Sequence, residues 1–486
     1  MRSRELHALV AAGLAYLPVA YAQSTPGSIT QLQPRVVGLS TERRAISDPA
    51  HYDRLRRRAS TLESRLENEQ TLYFISATIG TPEQRFRLQL DTGSSDLWVN
   101  TNSSATCAHK TKTSIGPCDD SGAYSANASS TYEYVGSWFN ISYVDGSGAR
   151  GDYVTDTLML GNAKLDHFQF GVGYQSTSTQ GILGIGYPVN EVQVGRAKMD
   201  PYENLPAALV SGGYISRNAY SLWLNDLDDE AGNILFGGID TGRFTGTLQT
   251  LPIQATNNVY TEFLITLTSV AFGQETIAKN QAIAALLDSG SSLTYLPDDI
   301  ARAIFAQVDA QYDTSSGNAY VDCQLAENKS ATIDFTFTSP TISVNLSELV
   351  FSSGTFGSSR TQSFHSTCLF GIASAGEGNV VLGDTFLRSA YVVYDLENNQ
   401  ISLAQANFGN KSNIVEIPTG TSLPSATLVA NPVRATTSAA ASGSTGGQGG
   451  ENENTPPDSG AVAIAASASC ILALVSTGAA MFATIY

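Results

Sequence analysis

The pentapeptide Asp-(Thr/Ser)-Gly-Ser-Ser occurs twice in this 486-residue chain, in "LQLDTGSSDLWV" at 88–99 and in "LLDSGSSLTYLP" at 286–297. Each copy follows an apolar run, so each sets an aspartate where a carboxylate is costly unless its surroundings are built for it. Average residue usage makes one such pentapeptide in a chain this long roughly a one-in-a-thousand event, and two far rarer. A single copy could be an Asx-type turn closing a hairpin. Each copy, however, has a matched element downstream. Ile182-Leu183-Gly184 begins 91 residues after Asp91, and Val381-Leu382-Gly383 begins 93 residues after Asp288. Near-equal offsets imply an internal duplication, and with it two similar lobes whose pseudo-twofold axis brings Asp91 and Asp288 together.

The length suits two lobes, since single hydrophobic cores stop growing at about 250–300 residues. A charged fraction of 15% and 43 glycines fit a β-rich extracellular protein better than a long-helix one. From "TLYFISATIG" at 71–80 onward, short alternating runs are separated by Gly, Asn, Asp and Ser, which reads as mostly β. The clearest helical stretch is "DDIARAIFAQVDAQY" at 298–312, opening after Pro297 with acids in its first turn.

Both ends carry targeting patterns. Residues 1–22 read as a signal peptide: Arg2 and Arg4 precede the apolar run Ala8 to Ala20, and Ala20-Tyr21-Ala22 has the small-residue cleavage pattern. Residues 23–58 read as a pro-segment, with the basic run Arg54-Leu55-Arg56-Arg57-Arg58 as the target of a processing protease. Residues 59–245 and 246–408 then form the two lobes. The patterning stops at about 409. Residues 409–460 are Ser/Thr/Gly-rich and read as a stalk. Residues 461–486 are apolar and uncharged, without the Lys or Arg that normally follows a membrane span. A small-residue spacer before such a tail is the pattern of a glycolipid-anchor signal, with attachment between Gly446 and Ser459.

Loss of residues 1–58 removes nine arginines and four acids, leaving 18 basic and 40 acidic side chains, a formal −22. That balance excludes the clustered positive charge of nucleic-acid binding. It suits work in acid, where part of the charge is neutralised. The cysteines Cys107, Cys118, Cys323 and Cys368 can pair in three ways. The close-spaced choice, Cys107–Cys118 with Cys323–Cys368, keeps each bridge within one half of the chain. Sequons at Asn102, Asn127, Asn140, Asn328, Asn345 and Asn410 fit secretion. The histidines lack metal-ligand spacing, so neither a metal nor a cofactor is implied.

From "TLYFISATIGTPEQRFRLQLDTGSSDLWV" to "VVLGDTFLRSAYVVYDLENNQISLAQA", residues 71–406, the chain resembles the pepsin-type aspartic proteases, with "FGGID" at 236–240 at the close of the first lobe. The leader, the basic junction and the anchor-like tail narrow the resemblance to the yapsin-like cell-surface proteases of fungi. It implies a bilobal, mostly β monomer with a cleft between the lobes, acting on proteins or peptides. Asp91 and Asp288 are then the catalytic pair. Two carboxyls in contact cannot both ionise comfortably and share one proton; the aspartic-protease dyad is the standard illustration of that effect. The ionised member is a general base for water, and the protonated member hydrogen-bonds the scissile carbonyl. By the same resemblance, Thr92 and Ser289 cross-link the loops beneath the pair, and Ser94 and Ser291 bond the outer carboxyl oxygens. Gly93 and Gly290 permit the tight turn that brings amides to the carboxylates.

"NISYVDGSGARGDYVTD" at 140–156 has a strand-like start, an Asp145-Gly146 turn and a strand-like finish, so from its pattern alone it is any surface hairpin. The resemblance makes it the flap over the substrate, with Tyr143 as the flap tyrosine and Trp98 as its hydrogen-bond partner. Val144 stands where the family usually has Gly, and a β-branched residue resists positive φ. Asp145 at the flap tip would attract a Lys or Arg of the substrate; the other reading is a plain turn aspartate. Two further classes share part of this pattern. A glycosidase also pairs carboxylates, but has no need of the duplicated frame. A wall-anchored binding protein could keep the fold without the catalysis.

Overall fold

The computed structural model describes residues 35–46, 69–108, 118–143, 148–227, 231–351 and 367–436. The leader, the basic run ending at Arg58, Val144, Asp145, Gly146, Cys470, the stalk beyond 436 and the terminal tail lie outside the described residues. The described residues all belong to one compact unit.

The first lobe is built from β2 (Glu69–Ile79), β3 (Gln84–Asp91), β4 (Leu97–Asn100), β5 (Glu133–Ser142), β6 (Gly148–Leu160), β7 (Ala163–Ser176) and β8 (Gly181–Gly184). Apolar strands such as β4 and β8 are buried along their whole length, as expected of strands covered on both faces. The second lobe places the strand Ile283–Leu287 in a five-stranded sheet with Leu264–Leu267, Val380–Leu382, Thr294–Leu296 and Ile372–Ser374. A continuous fourteen-stranded sheet runs from the first lobe through the strands Ala219–Trp223 and Ala390–Asp395 to Phe244–Pro252.

The register repeats between the lobes. In the first, β3 runs parallel to β8 with Gln89 opposite Ile182, and β4 returns antiparallel with Trp98 opposite Ile182. In the second, Ile283–Leu287 runs parallel to Val380–Leu382 with Leu286 opposite Val381, and Tyr295 lies antiparallel to the same Val381. Gln89 and Leu286 each precede the aspartate by two residues, and Trp98 and Tyr295 each follow it by seven. The matched apolar-Gly elements are therefore the strands on which both aspartate loops are folded. Their glycines are dictated by contact: a Cβ on Gly184 would fall 2.6 Å from the Ser95 amide, and one on Gly383 would fall 2.3 Å from the Leu293 carbonyl.

Four boundaries differ from the sequence expectation. Within the expected pro-segment, Val37–Ile46 forms β1, inserted between β2 and the strand Ala231–Phe236, with Glu42 opposite both Phe74 and Ala231. Val37, Leu39 and Thr41 are buried in alternation with outward-facing neighbours, a short period-2 signal inside a charged stretch. The helix expected over 298–312 covers Asp298–Gln307, because Asp309 takes a positive φ of 51° and a strand begins at Gln311. The stalk expected from 409 is bound to the body as far as 436. Ile414–Glu416 pairs with Gly238–Asp240, and Ala426–Leu428 runs parallel to Phe244–Pro252. Ile417 and Leu423 are buried, and Arg217 donates to the carbonyls of Pro418 and Ser422. Anchors this widely spaced leave no periodic pattern in the sequence. The expected lobe boundary at 245 falls inside the strand Phe244–Pro252.

The disulfides Cys107–Cys118 and Cys323–Cys368 are both present. Asn102, Asn127, Asn328 and Asn410 are exposed, whereas Asn140 and Asn345 sit half-buried on strands.

Candidate active site

Strand β3 ends on Asp91 and the strand Ile283–Leu287 ends just before Asp288, so both carboxyls emerge where the ladders stop and the chain turns. Both are buried, as are Thr92 and Ser289. Burial of polar groups at this density requires that they satisfy one another.

They do so with twofold regularity. The amide of Gly93 donates to Asp91 Oδ1 at 2.9 Å and the Ser94 hydroxyl to Asp91 Oδ2 at 2.6 Å. The amide of Gly290 donates to Asp288 Oδ1 at 2.8 Å and the Ser291 hydroxyl to Asp288 Oδ2 at 2.6 Å. Beneath, Thr92 Oγ1 donates to the Leu287 carbonyl at 2.9 Å and accepts the Ser289 amide at 2.9 Å. In mirror fashion Ser289 Oγ donates to the Leu90 carbonyl at 3.1 Å and accepts the Thr92 amide at 3.2 Å. A further tie runs from the Gln89 side-chain amide to the Gly290 carbonyl.

The reason for Gly93 is sharper than turn geometry. A Cβ there would lie 2.6 Å from Asp288 Oδ1, so the first loop's backbone touches the second loop's carboxyl. Together with the Thr92–Ser289 bonds, across 197 positions, this brings the two loops into contact, as the duplicated motif implied.

Tyr143, at the end of β5, accepts a hydrogen bond from the Trp98 indole at 2.7 Å. Trp98 is fully buried among Phe139, Ile141, Tyr153 and Ile182, which fixes the root of the hairpin. Asp145 and Gly146, the expected tip, lie outside the described residues.

The sequence reading missed two acidic groups. Asp96, inside the first motif, accepts from the hydroxyls of Tyr153 and Tyr202 at 2.6 and 3.1 Å and from the Val192 amide at 2.9 Å. Burial holds its carboxyl above the usual range, and these donors offset part of the shift. Glu191 is equally buried and accepts the Tyr202 amide at 2.8 Å. Burial pushes its carboxyl up to about 9; the Tyr202 amide opposes that rise, and the Asp96 charge adds to it. The other group is Glu262, a partly exposed residue whose proton affinity is raised by desolvation and then by the charge of Asp288. A lone Glu beside a Phe gives no sequence signal of this kind.

Two buried aspartates on duplicated loops, cross-bonded at the junction of two β lobes, define an aspartic protease of the pepsin type. The comparisons agree: residues 72–406 match the family described as eukaryotic aspartyl protease, and the chain belongs to that family. It is 51% identical over 427 residues to the probable aspartic-type endopeptidase opsB of Aspergillus oryzae, covering 86% of each chain. It is 33% identical to aspartic proteinase 3 of Saccharomyces cerevisiae over 78% of each chain. With secreted aspartic protease 3 of Candida albicans the identity is 36%, over 74% of this chain and 85% of that one. The crystal structure of the aspartic proteinase from Irpex lacteus shares the fold with a TM-score of 0.56, at 21% identity, over 77% of this chain and 99% of that one. The chain is an aspartic-type endopeptidase, a hydrolase of peptide bonds.

Proposed function

We propose that the protein is a yapsin-like, glycolipid-anchored endopeptidase of the fungal cell surface, acting at acid pH through Asp91 and Asp288. The observation that carries the catalytic assignment is the reciprocal bonding of the two aspartate loops, which leaves both carboxyls pinned side by side. One proton is shared between them. The ionised carboxyl takes a proton from water as it attacks the scissile carbonyl, and the protonated carboxyl donates to the carbonyl oxygen as it gains charge. Attack is direct, without an acyl-enzyme. Thr92, Gly93, Ser94, Ser289, Gly290 and Ser291 hold the geometry, because their hydroxyls and amides occupy the remaining lone pairs.

The flap hairpin closes over the substrate, with Tyr143 held by Trp98 and Asp145 drawing a Lys or Arg side chain toward the tip. Cleavage after Arg58 converts the precursor, and the terminal tail is exchanged for the glycolipid. The leader pattern, the sequons and the acidic balance of the body support this placement, as does the likeness to secreted aspartic protease 3 of Candida albicans. The test uses the protein secreted from its own leader and cleaved at Arg58, assayed on peptides with Lys, Arg, Leu or Phe before the scissile bond between pH 3 and 6. The expected result is a bell-shaped pH profile with Lys and Arg favoured. Absence of cleavage at every pH would overturn the catalytic reading, and a preference for Leu or Phe would overturn the role of Asp145.

A further inference from the structure

The strand Leu264–Leu267 pairs antiparallel with Ile283–Leu287, with Leu264 opposite Leu286. The pairing continues outward, since the Leu287 amide donates to the Phe263 carbonyl at 3.2 Å. Glu262 stands at the bend just before the one strand and Asp288 just after the other, so the two acids are the chain neighbours of the bonded pair Phe263 and Leu287. The Asp288 charge accordingly reaches Glu262 and opposes its ionisation.

Glu262 is therefore a third carboxyl near Asp288, carried by the second lobe and partly exposed. Among the described residues no Lys or Arg forms an ion pair with it, whereas the buried Asp395 and Glu348 of the same body are matched by Arg217 and Arg388. A half-buried acid beside another acid holds its proton to higher pH, and a cation arriving next to it favours the ionised form. Such a cation can come from a substrate side chain flanking the scissile bond, since that bond is attacked at Asp288. Tyr260, two residues before Glu262, is 36% exposed and packed against the Tyr187 ring, and offers an apolar surface for the stem of a long basic side chain.

We infer that Glu262 is a specificity-determining residue that receives a Lys or Arg side chain flanking the scissile bond, from the side of the cleft formed by the second lobe. The inference rests on the endopeptidase reading with Asp288 in the dyad. It is separate from the role of Asp145, which belongs to the hairpin of the first lobe.

The test uses the secreted, Arg58-cleaved protein and two pairs of peptides. One pair carries Lys or its neutral isostere norleucine immediately before the scissile bond, and the other carries them immediately after it. The quantity read is the ratio of kcat/KM for Lys over norleucine, at the least acid pH that supports cleavage. Glu262→Gln should lower that ratio about tenfold in one of the two pairs, the loss falling on KM because the contact is present before and during reaction. Glu262→Lys should make a Glu-containing peptide better than its Gln counterpart at the same position. An unchanged ratio in both pairs would overturn the inference, and so would an equal fall on charged and neutral peptides, which would make Glu262 a part of the dyad's electrostatics. Failure here is distinguishable from failure of the endopeptidase reading, because wild-type cleavage of all four peptides upholds the latter whatever the ratios.

Discussion

Thr92 and Ser289 hold each other across the lobe interface, each hydroxyl accepting the other residue's amide, at 2.9 and 3.2 Å. Each hydroxyl also donates to the carbonyl two residues before its partner, Leu287 for Thr92 and Leu90 for Ser289. The two aspartates are positioned by this reciprocal link and not by either lobe alone.

Replacing Thr92 by Val keeps the shape but leaves the buried Ser289 amide and Leu287 carbonyl without partners. An unsatisfied buried polar group costs about 1–3 kcal/mol. Thr92→Val should therefore lower the thermal midpoint and reduce kcat at least tenfold, and Thr92→Ser should restore most of both. Calorimetry with steady-state kinetics checks this. A Val variant with native kcat would show that the link does not position the dyad.

Glu191 sets a pH limit on stability. Its folded-state value, about 9, lies above the ordinary value of 4.5. At pH below 4.5 both folded and unfolded chains carry the proton, so the group contributes no pH dependence. Between 4.5 and about 9 the unfolded chain releases the proton while the folded one keeps it, and stability falls as pH rises. Asp96, shifted in the same direction, adds to the fall. Glu191→Gln should flatten the decline in unfolding free energy by about 1.4 kcal/mol per pH unit within that window. Parallel profiles for the two proteins, measured by denaturant unfolding from pH 4 to 8, would contradict the assignment.

The segment after 409 contributes to the body. A chain ending at residue 436 should melt with the full-length protein, because the strands and anchors through Ile417 and Leu423 remain. One ending at residue 408 exposes the surfaces those side chains cover and removes the carbonyls that Arg217 meets, while Arg217 stays buried against Asp395. Its melting temperature should fall by several degrees. Equal melting of the two truncations would show that the segment merely lies on the surface.

Much of the site was legible because the duplication is written in local sequence. Asp91, Asp288 and their Gly-Ser neighbours announce themselves, and the offsets to Ile182 and Val381 became equivalent registers in the two lobes. What escaped depends on pairing between distant segments. Glu191 meets the surroundings of Asp96 only after the chain has folded so that Val192 reaches a residue 96 positions earlier, and Glu262 comes near Asp288 only through the pairing of their neighbours Phe263 and Leu287. The β1 strand and the 409–436 segment were missed for a related reason: each is held by pairing with distant strands, with too few apolar residues to show a period of its own.

The central claim is that Asp91 and Asp288 act as one unit, and a double-mutant cycle on kcat/KM tests it most directly. Asp91→Asn, Asp288→Asn and the double variant are each secreted, cleaved at Arg58, verified as folded by circular dichroism, and assayed on one peptide at the wild-type pH optimum. The account predicts that either single substitution removes cleavage by about four orders of magnitude or more and that the double variant is no worse than the singles. Substantial cleavage by either single variant, or losses that multiply in the double, would contradict it.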